Sequence, residues 1–265
     1  MVKLKNWFGK TWTNLKINLN HSGQDHSIDL NSGIDLSIPN RFDGKNPIFY
    51  NAMQSMAIPV ERDGFIGAVN RGGGCNVSVA NVDIHCTGTH TECVGHIDDS
   101  GKKISDICPI GFLFAQLITV NPVHKSDTNE SYHVDYENEL VISVESFKGK
   151  LKENINALVI RTNPNGLDKV NRNYGDYPAS FLTHDSIDYI LDSGIKHLLV
   201  DLPSIDKADD GGQLGNHHRF FKLGKTISEL LYIPDSVQDG FGFLQIQIPN
   251  WGLDAAPSRP IFYPV

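Results

Sequence analysis

Residues 86–96 read Cys-Thr-Gly-Thr-His-Thr-Glu-Cys-Val-Gly-His, and no apolar core calls for two imidazoles, one carboxylate and two thiols packed so closely. In an extended chain, positions i, i+4, i+6 and i+10 share one face. Cys86, His90, Glu92 and His96 then point into one space, while His85 and Cys93 turn away. On a helix Glu92 is carried well away from His90. The stretch therefore asks for extended backbone that gathers donors, and a metal site is the chemistry such donors serve.

The remaining composition limits what can surround that site. At 265 residues, with 40% hydrophobic and 20% charged positions, the chain can bury a sizeable core and reads as one domain over residues 1–265. A formal charge of -8 repels phosphate backbones, and no cluster of Lys and Arg reverses this locally, so nucleic acid is not an expected partner. The most apolar run, residues 109–120, is too short to span a bilayer, and the first thirteen residues lack a signal-peptide core. A cytoplasmic protein without membrane contact is expected. Four cysteines, Cys75, Cys86, Cys93 and Cys108, do not read as a disulfide framework at this length, so reduced thiols are expected.

Along the chain, alternating pieces at residues 15–19 and 28–38, broken by His-Ser-Gly and Asn-Ser-Gly, predict an opening antiparallel hairpin. The Gly72-Gly73-Gly74 run lacks the spacing of a dinucleotide fingerprint and reads as a turn. Residues 75–84 predict a strand that leads into the donor stretch. Further strands are expected at 111–120, 140–144, 155–161, 195–200 and 243–248. The clearest helix is capped by Thr183 or Asp185, carries Ile187, Ile190 and Leu191 at helical spacing, and ends at Gly194. Residues 216–221 start a shorter one.

Several of these pieces together resemble one family. The metal-dependent cyclase family of hydrolases, whose members include bacterial kynurenine formamidase and isatin hydrolase, carries His-x-Gly-Thr-His-x-Asp-x-Pro-x-His. Residues 86–96 follow that spacing and keep Gly88, Thr89, His90 and His96. Leu158-Val159-Ile160-Arg161-Thr162 is similar to a family strand ending in Arg-Thr. Asp201-Leu202-Pro203-Ser204-Ile205-Asp206 resembles its Asp-x-x-Ser-x-Asp segment, and Asp254-Ala255-Ala256-Pro257-Ser258-Arg259 its C-terminal Ala-Pro-x-Arg. The departures are Cys86 for histidine, Glu92 for aspartate and Val94 for proline.

The resemblance implies a mixed α/β fold with a largely antiparallel, barrel-like sheet and helices outside, of the swivelling β/β/α cyclase type. It implies one or two divalent ions held at Cys86, His90 and Glu92, with a later His and a Glu twelve residues beyond it, a spacing that His217 and Glu229 have. His218 is one step off and stays a candidate, because an intervening loop can differ by one residue. Zinc is the first expected metal and manganese the second. Hydroxide on the metal would attack the carbonyl of an amide, formamide, lactam or lactone in a small molecule, as in an arylformamidase. His96 would carry protons, with a ligand role as its alternative. The family also implies homo-oligomers, dimers or larger, with Trp7 and Phe8 as candidate contacts.

Cys86 admits two roles besides packing. Thiolate is a good zinc ligand, so it can hold the first metal position; alternatively it could be the nucleophile of a thiol hydrolase with His90 as base. A family member that binds a ligand without turning it over is the third class. Cys93 is expected to pack. Ser204 and Asp206 are expected to brace a loop, and Arg161 to pair with a carboxylate at the site.

Overall fold

The computed structural model describes residues 15–221 and 224–265. Trp7 and Phe8 therefore lie outside the described residues. The centre of the molecule is a nine-stranded mixed sheet. Its strands, in chain order, are β1 (Ile34–Asp35), β2 (His90–Glu92), β3 (Leu113–Val120), β4 (Ala157–Thr162) and β5 (His197–Val200). The remaining four are β6 (Thr226–Glu229), β7 (Gly240–Gln247), β8 (Ala255–Pro257) and β9 (Arg259–Pro264). Across the sheet they lie in the order β8-β2-β6-β5-β4-β3-β7-β9-β1.

The centre, β6-β5-β4-β3, is parallel, and both flanks are antiparallel. The sheet curls strongly into a half-barrel, the mixed α/β arrangement expected from the sequence. Parallel strands must be covered on both faces and so read as unbroken apolar runs. Every residue of β4, Ala-Leu-Val-Ile-Arg-Thr, is buried accordingly. Alternation then sorts its side chains: Leu158 and Ile160 join one core cluster, Ala157 and Val159 the other.

The described residues hold three α-helices, α1 (Ile104–Ile107), α2 (His184–Asp192) and α3 (Gly215–Phe221), and the last two close the first cluster. Thr183 caps α2 by accepting from the Ser186 amide at 3.1 Å, and Ile187 and Ile190 face Phe220 and Phe221 of α3 within that cluster. α3 can sit this close because Gly215 has no side chain; a Cβ there would collide with His133 and His184. An opening hairpin forms, but its second arm is Gln24–Asp29, paired with Lys16–His21, and most of the expected arm over residues 28–38 lies outside it, Ile34–Asp35 joining the large sheet instead. The C-terminal proline- and aromatic-rich segment, for which no strand is predicted, supplies β8 and β9.

The strand expected over residues 75–84 is confined to Ser78–Asn81, which pairs with Met56–Pro59. After it the chain does not stay extended. Thr87 Oγ1 donates to the Asp83 carbonyl at 2.7 Å and closes a turn over residues 83–88, so the extended face expected from 86 to 96 is real only at β2.

Candidate metal centre

Two turns of sequence logic place His90. Gly88 lets the chain pass Asn40, whose Oδ1 would stand 2.7 Å from an added Cβ. Thr89 then ties the strand down: its hydroxyl donates to the Leu230 carbonyl and accepts from the Ile38 amide. Beyond it, β2 pairs antiparallel with β6, with His90 opposite Glu229 and Glu92 opposite Ile227. On its other edge Glu92 faces Ala255 of β8. The sheet register therefore brings residues 90–92, 229 and 254–255 together.

His90 is fully buried, and its Nδ1 donates to the Gly88 carbonyl at 3.1 Å, which leaves Nε2 as the free lone pair, 3.7 Å from Glu229 Oε2. His217, on α3, is oriented the same way. Its Nδ1 donates to Asp206 Oδ2 at 2.7 Å, and its Nε2 faces Glu92 Oε1 at 2.9 Å. That Nε2 also lies 3.6 Å from Glu229 Oε1, which accepts from the Ile205 amide at 2.8 Å. A neutral imidazole so oriented turns a lone pair toward a carboxylate oxygen, an arrangement that needs a proton or a cation between them.

The charges show the same demand. Burial works against a charged His217, but Glu92 and then Asp206 overcome it and hold the imidazole well above its ordinary range. Burial alone would raise Glu92; His217 outweighs it and holds that carboxyl well below. Glu229 is pushed up, first by burial and then by the charge of Glu92, and burial drives His90 down to about 4. Close as these groups are, both oxygens of Glu92 and Nε2 of His90 are buried without a hydrogen-bond partner among the described residues. Buried polar atoms left in that state are costly. Donor atoms of His90, Glu92 and Glu229 lie within 4.8 Å of one another, so a divalent cation fits the orphaned atoms by position and by charge.

On the outer side of Glu92 stand two further imidazoles. His85 Nδ1 is 3.1 Å and His96 Nε2 3.7 Å from Glu92 Oε2, and the two rings stack at 4.2 Å. Asp254 Oδ2 meets their other nitrogens, at 3.0 Å from His85 Nε2 and 3.5 Å from His96 Nδ1. Burial lowers His96. It also opposes a charged His85, but Asp254 and Glu92 carry that imidazole up to about 10.

Of the residues singled out from sequence, His90, Glu92, His217 and Glu229 come together and His96 stands beside them, whereas His218 faces outward. Cys86 belongs to neither group of donor atoms within reach of a common ion. It packs against Phe49, Tyr174 and Leu230, and burial, then Asp83, pushes its thiol up to about 12. Strand parity turned His85 away, and the turn over residues 83–88 reverses that. Arg161 braces a loop instead of the site, donating to the Pro234 and Val237 carbonyls and pairing with Asp239 at 3.1 Å. Cys93 is buried in the second core cluster.

Three residues gain roles the sequence did not give them. Asp206 is more than a loop brace: it takes His217 on one oxygen and the Tyr132 hydroxyl, at 2.7 Å, on the other. Asp254 holds His85 and His96; its Asp-Ala-Ala-Pro segment carries the family resemblance but gives no sign of this contact. His85 was visible as a histidine but misplaced by assuming unbroken strand.

Comparison with known proteins shows the family and the fold. The Cyclase family model matches residues 34–207. Kynurenine formamidase of Bacillus cereus (strain ATCC 10987 / NRS 248) is 30% identical over 201 residues, 73% of this chain and 82% of the relative. That of Bacillus mycoides (strain KBAB4) is 27% identical over 198 residues, with the same shares. Among solved structures, a potential metal-dependent hydrolase with cyclase activity superposes with a TM-score of 0.62 at 19% identity, covering 88% of this chain and 98% of its own. Isatin hydrolase A from Labrenzia aggregata, bound to benzyl benzoate, gives 0.59 at 15%, covering 88% and 93%. The family match ends before His217 and Glu229, which the structure sets beside His90 and Glu92.

Proposed function

The chain belongs to the Cyclase family of metal-dependent hydrolases, and from that premise we propose that it cleaves the C–N bond of a small formamide or cyclic amide at the cluster built on Glu92. The observation that carries the proposal is the set of orphaned buried donors, His90 Nε2 and both oxygens of Glu92, beside Glu229 and His217. A divalent cation bound there supplies an activated water and polarises the scissile carbonyl.

The chain's own residues do the rest. His90, Glu92, Glu229 and His217 hold the ion, with Gly88 and Asp206 fixing the two imidazoles through their Nδ1 atoms. Two imidazoles and two carboxylates without a thiol suit zinc first and manganese second. His96, about a quarter exposed where Glu92 is buried, carries the proton: Nε2 takes it from the attacking water and returns it to the departing nitrogen. Burial keeps that imidazole neutral near neutral pH, the form that accepts. With kynurenine formamidases among the relatives and an isatin hydrolase among the similar folds, N-aryl formamides and aryl-fused lactams are the first substrates to try.

Among the described residues no helix is long and apolar enough to cross a membrane. We propose a cytoplasmic chain and, separately, a homo-oligomer; the second is supported by the exposed apolar side chains Met56, Ile58, Val77 and Val79 around the Met56–Pro59/Ser78–Asn81 ladder, which a second copy would cover.

Metal analysis of the purified protein, paired with chelator-sensitive hydrolysis of aryl formamides and lactams, tests the proposal. Hydrolysis restored by zinc or manganese supports it. Turnover that survives chelation, or bound metal without turnover of either substrate class, overturns it.

A further inference from the structure

The hydrolytic site uses one oxygen-lined side of Glu92, and the other side is equally built. His85 Nδ1, Glu92 Oε2 and His96 Nε2 lie within 4.8 Å of one another. The two imidazole atoms stand 3.1 and 3.7 Å from that oxygen, which has no hydrogen-bond partner although Glu92 is 1% exposed. A tetrahedral zinc with bonds of about 2.1 Å sets its donors about 3.4 Å apart, between those two distances.

The outer nitrogens are already committed. Asp254 Oδ2 meets Nε2 of His85 and Nδ1 of His96, which turns the opposite nitrogen of each ring inward. That is the carboxylate–imidazole support by which metal-binding histidines are oriented, here applied twice by one oxygen. The rings stack 4.2 Å apart with 25° between their planes, so both present their nitrogens toward the same carboxylate. Asp254 owes its place to β8, whose pairing with β2 sets Ala255 opposite Glu92.

We propose that His85, Glu92 and His96 form a second, outer divalent-cation site, and that filling it inhibits the enzyme because its third donor is the proton carrier. The inhibition, though not the binding, rests on the hydrolase reading above. The inner site fills first: it is buried, and it offers two carboxylates and two imidazoles. The outer site has His85 and His96 side chains 29% and 26% exposed and must share Glu92 with the inner ion, so it binds more weakly and exchanges with solvent. Cys86, which stands where the family motif has its first histidine, lies in neither set, and His85 beside it supplies an imidazole in a different place.

Metal-free protein titrated with Zn2+ alone, followed by native mass spectrometry and by hydrolysis of an aryl formamide, tests both halves. Wild type takes up two ions per chain; activity rises with the first and falls at least tenfold with the second. His85→Gln takes up one, and the fall moves to at least tenfold higher zinc. Asp254→Asn, which leaves all three donors in place, weakens the second uptake about tenfold and spares the first, so the proposal does not depend on the folding of one variant. Wild-type uptake that stops at one ion, or a second ion retained unchanged by both variants, overturns the outer site. Two ions bound by wild type and one by His85→Gln, with no substrate turned over, leaves the outer site standing and removes the hydrolase reading instead.

Discussion

His90 and Glu229 are register partners across the antiparallel pair of β2 and β6, and the 3.7 Å between Nε2 and Oε2 follows from that pairing. A separation fixed by a ladder between two strands is rigid, as a site for a small cation must be. It is also held at a cost, since Glu229 sits buried in the field of Glu92. Function and stability should therefore respond in opposite directions to Glu229→Gln. The amide still accepts from the Ile205 amide, and the fold no longer has to keep a proton on a carboxyl that burial and Glu92 push up to about 8. In chelator the variant melts higher than wild type by a few degrees, at roughly 2–4 °C per kcal/mol for a chain of this size. Its metal-supported activity falls by roughly 10²-fold or more. Calorimetry in chelator together with turnover in zinc measures both; a variant that melts lower in chelator contradicts the account.

Asp206 lies eleven residues before His217 yet touches no cation donor other than that imidazole. Its contribution is orientation, shared with the Asn216 and His217 amides, which it also accepts at 2.8 and 3.1 Å. Asp206→Asn should lower metal affinity roughly 10–100-fold, the usual loss when such a carboxylate support is removed, while the far-ultraviolet dichroism stays that of wild type. Competition with a chromophoric chelator gives the affinity. Unchanged affinity would falsify the orienting role.

Cys86 discriminates between metal and thiol chemistry. Packed with Phe49 and Tyr174 and pushed up to about 12, its thiol is almost entirely protonated at neutral pH and a poor nucleophile. Chelator should abolish hydrolysis, whereas brief treatment with an alkylating reagent at pH 7 leaves at least half of it. Cys86→Ser keeps the metal content of wild type and activity within about threefold, since a buried thiol-to-hydroxyl change acts through packing. Loss of activity to the alkylator but not to the chelator would reverse the assignment.

What the sequence disclosed, and what it withheld, divides along local and non-local lines. β4 was legible because an unbroken apolar run bounded by Asn-Pro-Asn-Gly admits little else, and α2 because Thr183 and Gly194 bracket it. His90 and Glu92 were legible because spacing within one strand fixes their common face. His85 was not: parity counts only while the chain stays extended, and a hydroxyl-to-carbonyl bond from Thr87 to Asp83 ends that count. Asp254 was hidden for another reason. Its proximity to Glu92 comes from a strand pairing between residues far apart in sequence, which no local pattern encodes. The parallel centre of the sheet was equally non-local, whereas the curl and the outer helices came through resemblance to a known fold.

His197 gives the fold a pH dependence separate from the metal centre. It begins β5, is 8% exposed, and bonds through Nδ1 to Thr226 Oγ1 at 2.8 Å. Burial, then the neighbouring Lys196 and Lys225 cations, pushes it down to about 4 from an ordinary 6.5. The unfolded chain therefore binds a proton that the folded one refuses. This group's contribution is fully present above pH 6.5 and is lost as pH falls from 6.5 through 4. Integrated over that window the loss is on the order of 3 kcal/mol, at about 1.4 kcal/mol per pH unit. His197→Gln cannot take up the proton, so its urea midpoint should fall less than that of wild type between pH 7 and pH 5. The carboxylates common to both proteins set the remaining slope. Equal slopes in the two proteins would mean that His197 is protonated in the fold and that its burial has been misjudged.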